Sequence, residues 1–143
     1  MIQIAVFSNA THRSEVVQLW RDVFGRSTGH HAPELSIDKK LALADDLFFV
    51  ALDAGAVVGT VMAGYDGHRG WLYSVAVDPQ RQKRGIGAAL VVHAEKALAA
   101  RGCTKVNLQV LAGNEVVTGF YEALGFVVEP RVSMGKLIVA NIP

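Results

Sequence analysis

Val75-Ala76-Val77-Asp78-Pro79-Gln80-Arg81-Gln82-Lys83-Arg84-Gly85-Ile86-Gly87 is the stretch that decides the fold. An apolar run stops at Asp78-Pro79, because proline cannot donate to a ladder. A basic loop follows, and two glycines open a segment in which Ile86, Leu90, Val91, Ala94, Ala97 and Leu98 share one helical face up to Ala100, with Gly102 as its stop. Strand, loop and helix follow directly on one another. The first turn of any helix presents unpaired N–H groups and a partial positive charge, and glycines there let a ligand approach the backbone. That arrangement suits a phosphate or pyrophosphate, and Arg81, Lys83 and Arg84 add local positive charge. The same spacing also fits a tight connection with solvated basic side chains, and a lone G-x-G does not choose between the two. No G-K-[ST] follows, so this is not a nucleoside-triphosphate loop, and the third glycine of a dinucleotide fingerprint is missing.

Working outward, the strand Trp71 to Val77 is preceded by two others, Leu47 to Leu52 and Ala56 to Tyr65, with turns at Asp53-Ala54-Gly55 and Asp66 to Gly70. Upstream lie a strand from Met1 to Phe7 and a helix capped by Asn9 or Thr11 that runs to Phe24. Val16, Leu19, Trp20 and Val23 form that helix's apolar stripe, and Gly25 stops it. A polar loop is expected from Arg26 to Ser36, then a short helix from Ile37 to Ala44. Downstream the pattern predicts a strand from Lys105 to Leu111, a helix from Asn114 to Leu124 closed by Gly125, and strands at Phe126 to Val128 and Met134 to Val139. The order βααβββαβαββ describes a layered α/β (α+β) domain with a mixed, mostly antiparallel sheet of about seven strands and about four helices.

Composition narrows the function classes. The 143 residues are 51% hydrophobic and 19% charged, with mean hydropathy +0.29. Such a chain can bury a core and is not disordered. Fourteen basic against thirteen acidic side chains leave a net charge of +1, without the basic excess of a general nucleic-acid binder. Apolar windows reach about ten residues, half of what a bilayer span needs. The start, Met1-Ile2-Gln3-Ile4, lacks a basic segment followed by an apolar signal core. The single cysteine, Cys103, permits no internal disulfide and fits a reducing, cytoplasmic setting; it follows a helix-ending glycine and reads as a packing residue. His30-His31 has no third ligand at suitable spacing, so no metal is expected. No repeat or linker divides the chain, and one domain over 1–143 is the reading.

A second segment, Asn114-Glu115-Val116-Val117-Thr118-Gly119-Phe120-Tyr121-Glu122-Ala123-Leu124-Gly125-Phe126, sharpens the first. Asn114 can cap its short helix, and Tyr121 lies two turns further on the same side. Together the segments resemble the GNAT N-acyltransferase superfamily. Gln82-Lys83-Arg84-Gly85-Ile86-Gly87 matches its [QR]-x-x-G-x-[GA] acyl-CoA motif, and Asn114 with Tyr121 matches its N-x(6)-Y signature. Within it, Gly64-Tyr65-Asp66-Gly67-His68-Arg69-Gly70 is similar to the small bacterial YpeA-type acetyltransferases.

The resemblance implies the GNAT fold and an acetyl-CoA-dependent N-acetyltransferase that moves the acetyl group directly to a small-molecule or peptide amine. Under it, the strand backbone at Val75, Ala76 and Val77 pairs with the pantetheine arm, and one N–H polarises the thioester carbonyl. The backbone of Gln82, Lys83, Arg84, Gly85, Ile86 and Gly87 holds the pyrophosphate, Asn114 holds the pantetheine, and Tyr121 protonates the departing thiolate. A phenol near pKa 10 and a thiol near 8.5 are compatible with that transfer. Homodimers are common in the family, so a dimer is among the expected states. Relatives that acetylate ribosomal-protein N-termini carry a glutamate five residues before the asparagine; here that position is Gln109, which cannot act as a base. Asp66, His68, Tyr73, His30 and His31 are the candidates to assist deprotonation, although a turn, surface or packing role is the more common one for each. A non-catalytic acyl-CoA sensor is the alternative that the missing glutamate keeps open.

Overall fold

Ile2–Val6 (β1) pairs antiparallel with Phe48–Asp53 (β2), β2 with Ala56–Tyr65 (β3), and β3 with Gly70–Val77 (β4). The β2–β3 connection is a two-residue turn, Ala54-Gly55, with positive φ at both positions, whose twist suits the flanking strands. Val106–Asn107 (β5) joins β4 in parallel, opposite Gly70 and Trp71. The helices are Asn9–Phe24 (α1), Pro33–Ala42 (α2), Ile86–Ala99 (α3) and Glu115–Ala123 (α4). This computed structural model describes residues 1–25 and 29–138. Backbone contacts group the chain into a unit of residues 1–108, which holds all five strands with α1 to α3, and a unit from Gln109 onward, which holds α4.

The class and the four helices agree with expectation, but the sheet has five strands among the described residues, not about seven. Residues 126–128 and 134–138 join no ladder, and Val127, Val128, Met134 and Ile138 are exposed. β-branched composition favours a strand only where a neighbour pairs the backbone and a covering face buries the side chains. Val139 lies outside the described residues. β5 is likewise two residues long, not Lys105 to Leu111, because its ladder with β4 ends at Asn107. The second helix starts at Pro33 instead of Ile37: proline's preset φ and missing N–H suit the first helical position. At the start of α1 the cap is Ser8, and His12 Nδ1 accepts the Ser8 amide at 3.0 Å.

Helices cover both faces of the sheet, which is why β2 and β3 are buried along most of their length. On one face Val16, Leu19 and Trp20 of α1 and Ile37 of α2 pack with Phe48, Val50, Met62 and Ala76. On the other, Leu90, Val91, Ala94 and Leu98 of α3 are fully buried, and Phe49 meets His93 edge-on with ring centroids 4.6 Å apart. Lys40, buried at the end of α2, donates to Asp45 (2.8 Å) and to the Ala63 carbonyl, fixing α2 to β3.

Gly59 on β3 sets how closely α3 approaches. A Cβ there would lie 2.9 Å from Leu90 Cδ1, 3.0 Å from the Ala76 carbonyl oxygen and 3.2 Å from Ile86 Cγ2. The carbonyl is backbone and cannot swing aside. Gly59→Ala is expected to cost about 1–3 kcal/mol of stability by overpacking, read by denaturant unfolding; an unchanged midpoint would show that the first turn of α3 can shift freely.

Candidate active site

The β3–β4 pairing is regular from Tyr65↔Gly70 to Met62↔Tyr73, but between Met62↔Tyr73 and Thr60↔Ala76 β4 carries one extra residue. The bulge falls at Ser74-Val75, and Ser74 sits at φ +51, a left-handed conformation that costs a non-glycine residue about 1–3 kcal/mol. A buried relay holds it. Trp20 Nε1 donates to Thr60 Oγ1 (2.8 Å), and Thr60 Oγ1 donates to the Ser74 carbonyl (2.8 Å). Thr60 is fully buried.

The direction of that carbonyl fixes the direction of the next amide. C=O and N–H of one trans peptide point oppositely, so with the Ser74 carbonyl turned toward β3, the Val75 N–H points away from it. Farther along, Asp78 N donates to Val58 O at 2.8 Å. Alternation therefore turns Ala76 toward β3 and Val77 N–H outward. Among the described residues β5 pairs with β4 at Gly70 and Trp71 and no strand pairs farther along that edge, so the outward amides of Val75 and Val77 have no ladder partner there.

β4 then runs into the basic loop. Asp78 accepts the Gln80 amide (3.0 Å) in a single 3-10 turn, Pro79–Arg81, and Gln82 Nε2 donates back to the Val77 carbonyl (2.9 Å). Arg81 lies beside Asp53 and Asp78, at 3.7 and 3.5 Å, so its charge is shared within the fold. Gln82, Lys83, Arg84 and Gly85 are exposed, Ile86 is buried and Gly87 is half-buried. Lys83 (φ +64) and Gly85 (φ +77) alternate in hand with their neighbours, which turns successive N–H groups into one concavity. Gly85 caps α3 without a side-chain acceptor, so the first-turn amides keep their donor capacity and the positive end of the helix dipole faces the same concavity. Nothing lies within 4 Å of a Cβ at Gly85; its conformation, not space, calls for glycine.

Beside the bulge is a cleft of about 300 Å³, lined by Trp20, Phe24, Gly25, His31, Pro33, Ser36, Tyr73 and Ser74. Of the candidate proton acceptors it gathers Tyr73 and His31. His68 and Asp66 lie elsewhere, in the β3–β4 turn. Asp66 Oδ1 accepts the Arg69 and His68 amides (2.8 and 2.7 Å), which hold its carboxyl below its usual range and make it a turn former and a weak base. Burial, and then the Asp66 charge, push the Tyr73 phenol up, so Tyr73 is protonated at neutral pH and acts as a donor. The side chain of His30 lies outside the described residues.

In the second unit Asn114 caps α4, its Oδ1 accepting the Val117 amide at 3.2 Å. Gln109 donates to Ser133 Oγ. Tyr121 is 8% exposed, edge-on to Phe120 and Phe126 with centroids 4.9 and 5.5 Å away. Burial pushes its phenol up to about 12. This corrects the expectation of a phenol near its ordinary value. The raised pKa stabilises the fold fully below pH 10 and loses that contribution as pH rises through about 12, an effect of about 2–3 kcal/mol. Tyr121→Phe is expected to lose less stability than the wild type between pH 8 and pH 11.5 in denaturant titrations; parallel losses would contradict it.

Thr60 and Ser74 escaped the sequence reading. The available signal was a threonine in the middle of an apolar strand, since a buried hydroxyl requires partners. Among the described residues no helix is long and apolar enough to cross a membrane, and no three His, Cys, Asp or Glu side chains gather as a metal site.

The family model described as acetyltransferase (GNAT) family matches residues 13–126. An acetyltransferase of Yersinia enterocolitica is 39% identical over 140 residues, 98% of each chain. Among solved structures, a PaiA N-acetyltransferase from Thermoplasma acidophilum in complex with coenzyme A superposes with a TM-score of 0.72 at 21% identity, over 92% of this chain and 93% of that one. Glucosamine-6-phosphate N-acetyltransferase from Arabidopsis thaliana gives 0.71 at 22%, over 97% and 99%. At these identities the structural likeness is one of fold, whereas the family match and the Yersinia relative are likenesses of sequence along most of the chain. This chain belongs to the GNAT acetyltransferase family.

Proposed function

We propose that the protein is an acetyl-CoA-dependent N-acetyltransferase that transfers the acetyl group directly to a primary amine, and that residues 1–143 act as one catalytic domain. The observation that carries this reading is the bulged end of β4. It turns the Val75 and Val77 amides to an unpaired edge and leads straight into a concavity of N–H groups at the start of α3. The donor set fits the cosubstrate: an extended amide-rich arm for the edge and a diphosphate for the concavity. The family match runs across the boundary between the two units, which supports the single-domain reading.

In this reading the backbone of Val75, Ala76 and Val77 hydrogen-bonds the pantetheine arm, and an outward N–H polarises the thioester carbonyl. The backbone of Gln82, Lys83, Arg84, Gly85, Ile86 and Gly87 holds the pyrophosphate. Asn114, whose Oδ1 is engaged by the helix cap, offers its Nδ2 donors to the pantetheine. Acetyl-CoA supplies an activated acyl carbon: the amine N–C bond forms as the C–S bond breaks. Tyr121 gives its proton to sulfur, and the proton released by the attacking nitrogen passes to water or a cleft residue and restores the phenol. No metal is needed for this chemistry, and a reducing, cytoplasmic setting suits the buried Cys103 thiol.

The test is thiol release from acetyl-CoA with a pool of amines, alongside calorimetry with coenzyme A. Amine-dependent thiol release is expected. Coenzyme A binding without release from any amine would favour the sensor alternative; no binding at all would remove both.

A further inference from the structure

The cleft beside the bulge says which amines fit, an inference that rests on the acetyltransferase reading above. Its described lining holds aromatic and aliphatic surface, chiefly from Phe24, hydroxyls from Ser36, Tyr73 and Ser74 and the His31 imidazole, and no carboxylate. The acidic side chains of the two helices that form its walls are committed elsewhere. Glu15 accepts the Val57 amide (2.7 Å), and Asp22 accepts from Gln18 (2.9 Å). Glu34 pairs with Arg21 (3.1 Å), and Asp38 with Arg13 (2.8 Å). Asp66, whose charge helps to raise the Tyr73 phenol, has its Oδ1 engaged by two amides of the β3–β4 turn. At about 300 Å³ the cleft holds roughly ten water-sized volumes, about one amino-acid residue.

We infer that the acceptor is an α-aminoacyl amide with an apolar or aromatic side chain, such as a peptide N-terminus, and not a polyamine or a lysine side chain. Two physical reasons converge. Several ammonium groups entering a cleft without carboxylates lose hydration and gain no partner. In addition, with no carboxylate and the His31 imidazole as the one basic side chain in the described lining, an amine that is already largely neutral is favoured. At pH 7.5 an α-amino group of pKa about 8 is about a quarter neutral, whereas a side-chain amine of pKa about 10.4 is neutral in about one molecule in 800. The difference favours the α-amino group about 200-fold before any contact is counted. Apolar side chains then gain by covering the half-exposed Phe24 ring. Ser74 lines the cleft and its neighbour Val75 carries the outward amide, so an amine seated there lies next to the edge assigned to the thioester.

The experiment compares phenylalaninamide, Nα-acetyl-lysinamide, spermidine and glucosamine at pH 7.5 by thiol release with acetyl-CoA. Phenylalaninamide is expected to show kcat/KM at least about 100-fold above the lysine derivative and spermidine. Spermidine, glucosamine or the lysine derivative turned over as well as or better than phenylalaninamide would overturn the acceptor class and leave acetyl transfer standing. No release with any of the four, nor with the wider amine pool, would overturn both. Phe24→Glu, at a half-exposed position where folding is not at stake, places a carboxylate in the cleft. It is expected to shift the spermidine-to-phenylalaninamide ratio upward at least tenfold, whereas an unchanged ratio would show that the cleft does not select the acceptor.

Discussion

Tyr121→Phe is expected to lower turnover by roughly 10–10⁴-fold while coenzyme A affinity stays within about twofold. The ring stays buried against Phe120 and Phe126, so the substitution removes a proton and little else. The magnitude depends on the partner's environment. With the phenol at about 12 and a solvated thiol near 8.5, full proton transfer is uphill by about 5 kcal/mol. The match improves where the thiolate is itself withdrawn from water, since burial raises a thiol in the same direction. Tyr121 is therefore protonated throughout the neutral and mildly alkaline range. The alkaline limb of kcat should not fall before about pH 11 on its account. Turnover in Tyr121→Phe equal to the wild type would take this residue out of the chemistry.

The other large effect is expected at a residue that touches neither substrate. Thr60→Val keeps the shape of the side chain and removes the hydroxyl that receives the Trp20 indole N–H and donates to the Ser74 carbonyl. Both partners are then left without that bond, Trp20 being 3% exposed, and the cost is about 2–4 kcal/mol. The second consequence is functional. Ser74 holds a left-handed conformation that its own side chain does not favour, and the relay is what turns its carbonyl toward β3. Without it the bulge relaxes and the Val75 amide loses its outward direction. Acetyl transfer should fall at least about tenfold under conditions where the variant is folded. Thr60→Ser retains the hydroxyl and should recover most of both losses; a folded Thr60→Val variant with undiminished transfer would sever the relay from the site.

Local chemistry made much of this legible in the sequence. Pro79 after an apolar run, glycines at 85 and 87 and a long apolar face in α3 are signals within a few residues of one another, and the strand–loop–helix unit follows from them. The cap at Asn114 is equally local. What escaped depends on distant neighbours. Whether Phe126 to Val128 forms a strand is decided by a pairing partner, not by its valines. The bulge at Ser74 arises from register between β3 and β4, and Thr60 becomes informative only when Trp20 and Ser74 are seen on either side of it. The start of α2 is a different case: Pro33 at the first helical position was a readable signal, outweighed by the polar residues before it. For Tyr121 the spacing located the residue, while its raised pKa comes from surroundings that spacing does not report.

The most direct test of the central claim, that the amides of residues 82–87 hold the diphosphate of the cosubstrate, is calorimetric titration of the full chain with coenzyme A and, separately, with pantetheine. Two charge-assisted N–H contacts are together worth about 3–6 kcal/mol. Coenzyme A should therefore bind at least about 100-fold more tightly than pantetheine. Equal affinities for the two would contradict the account.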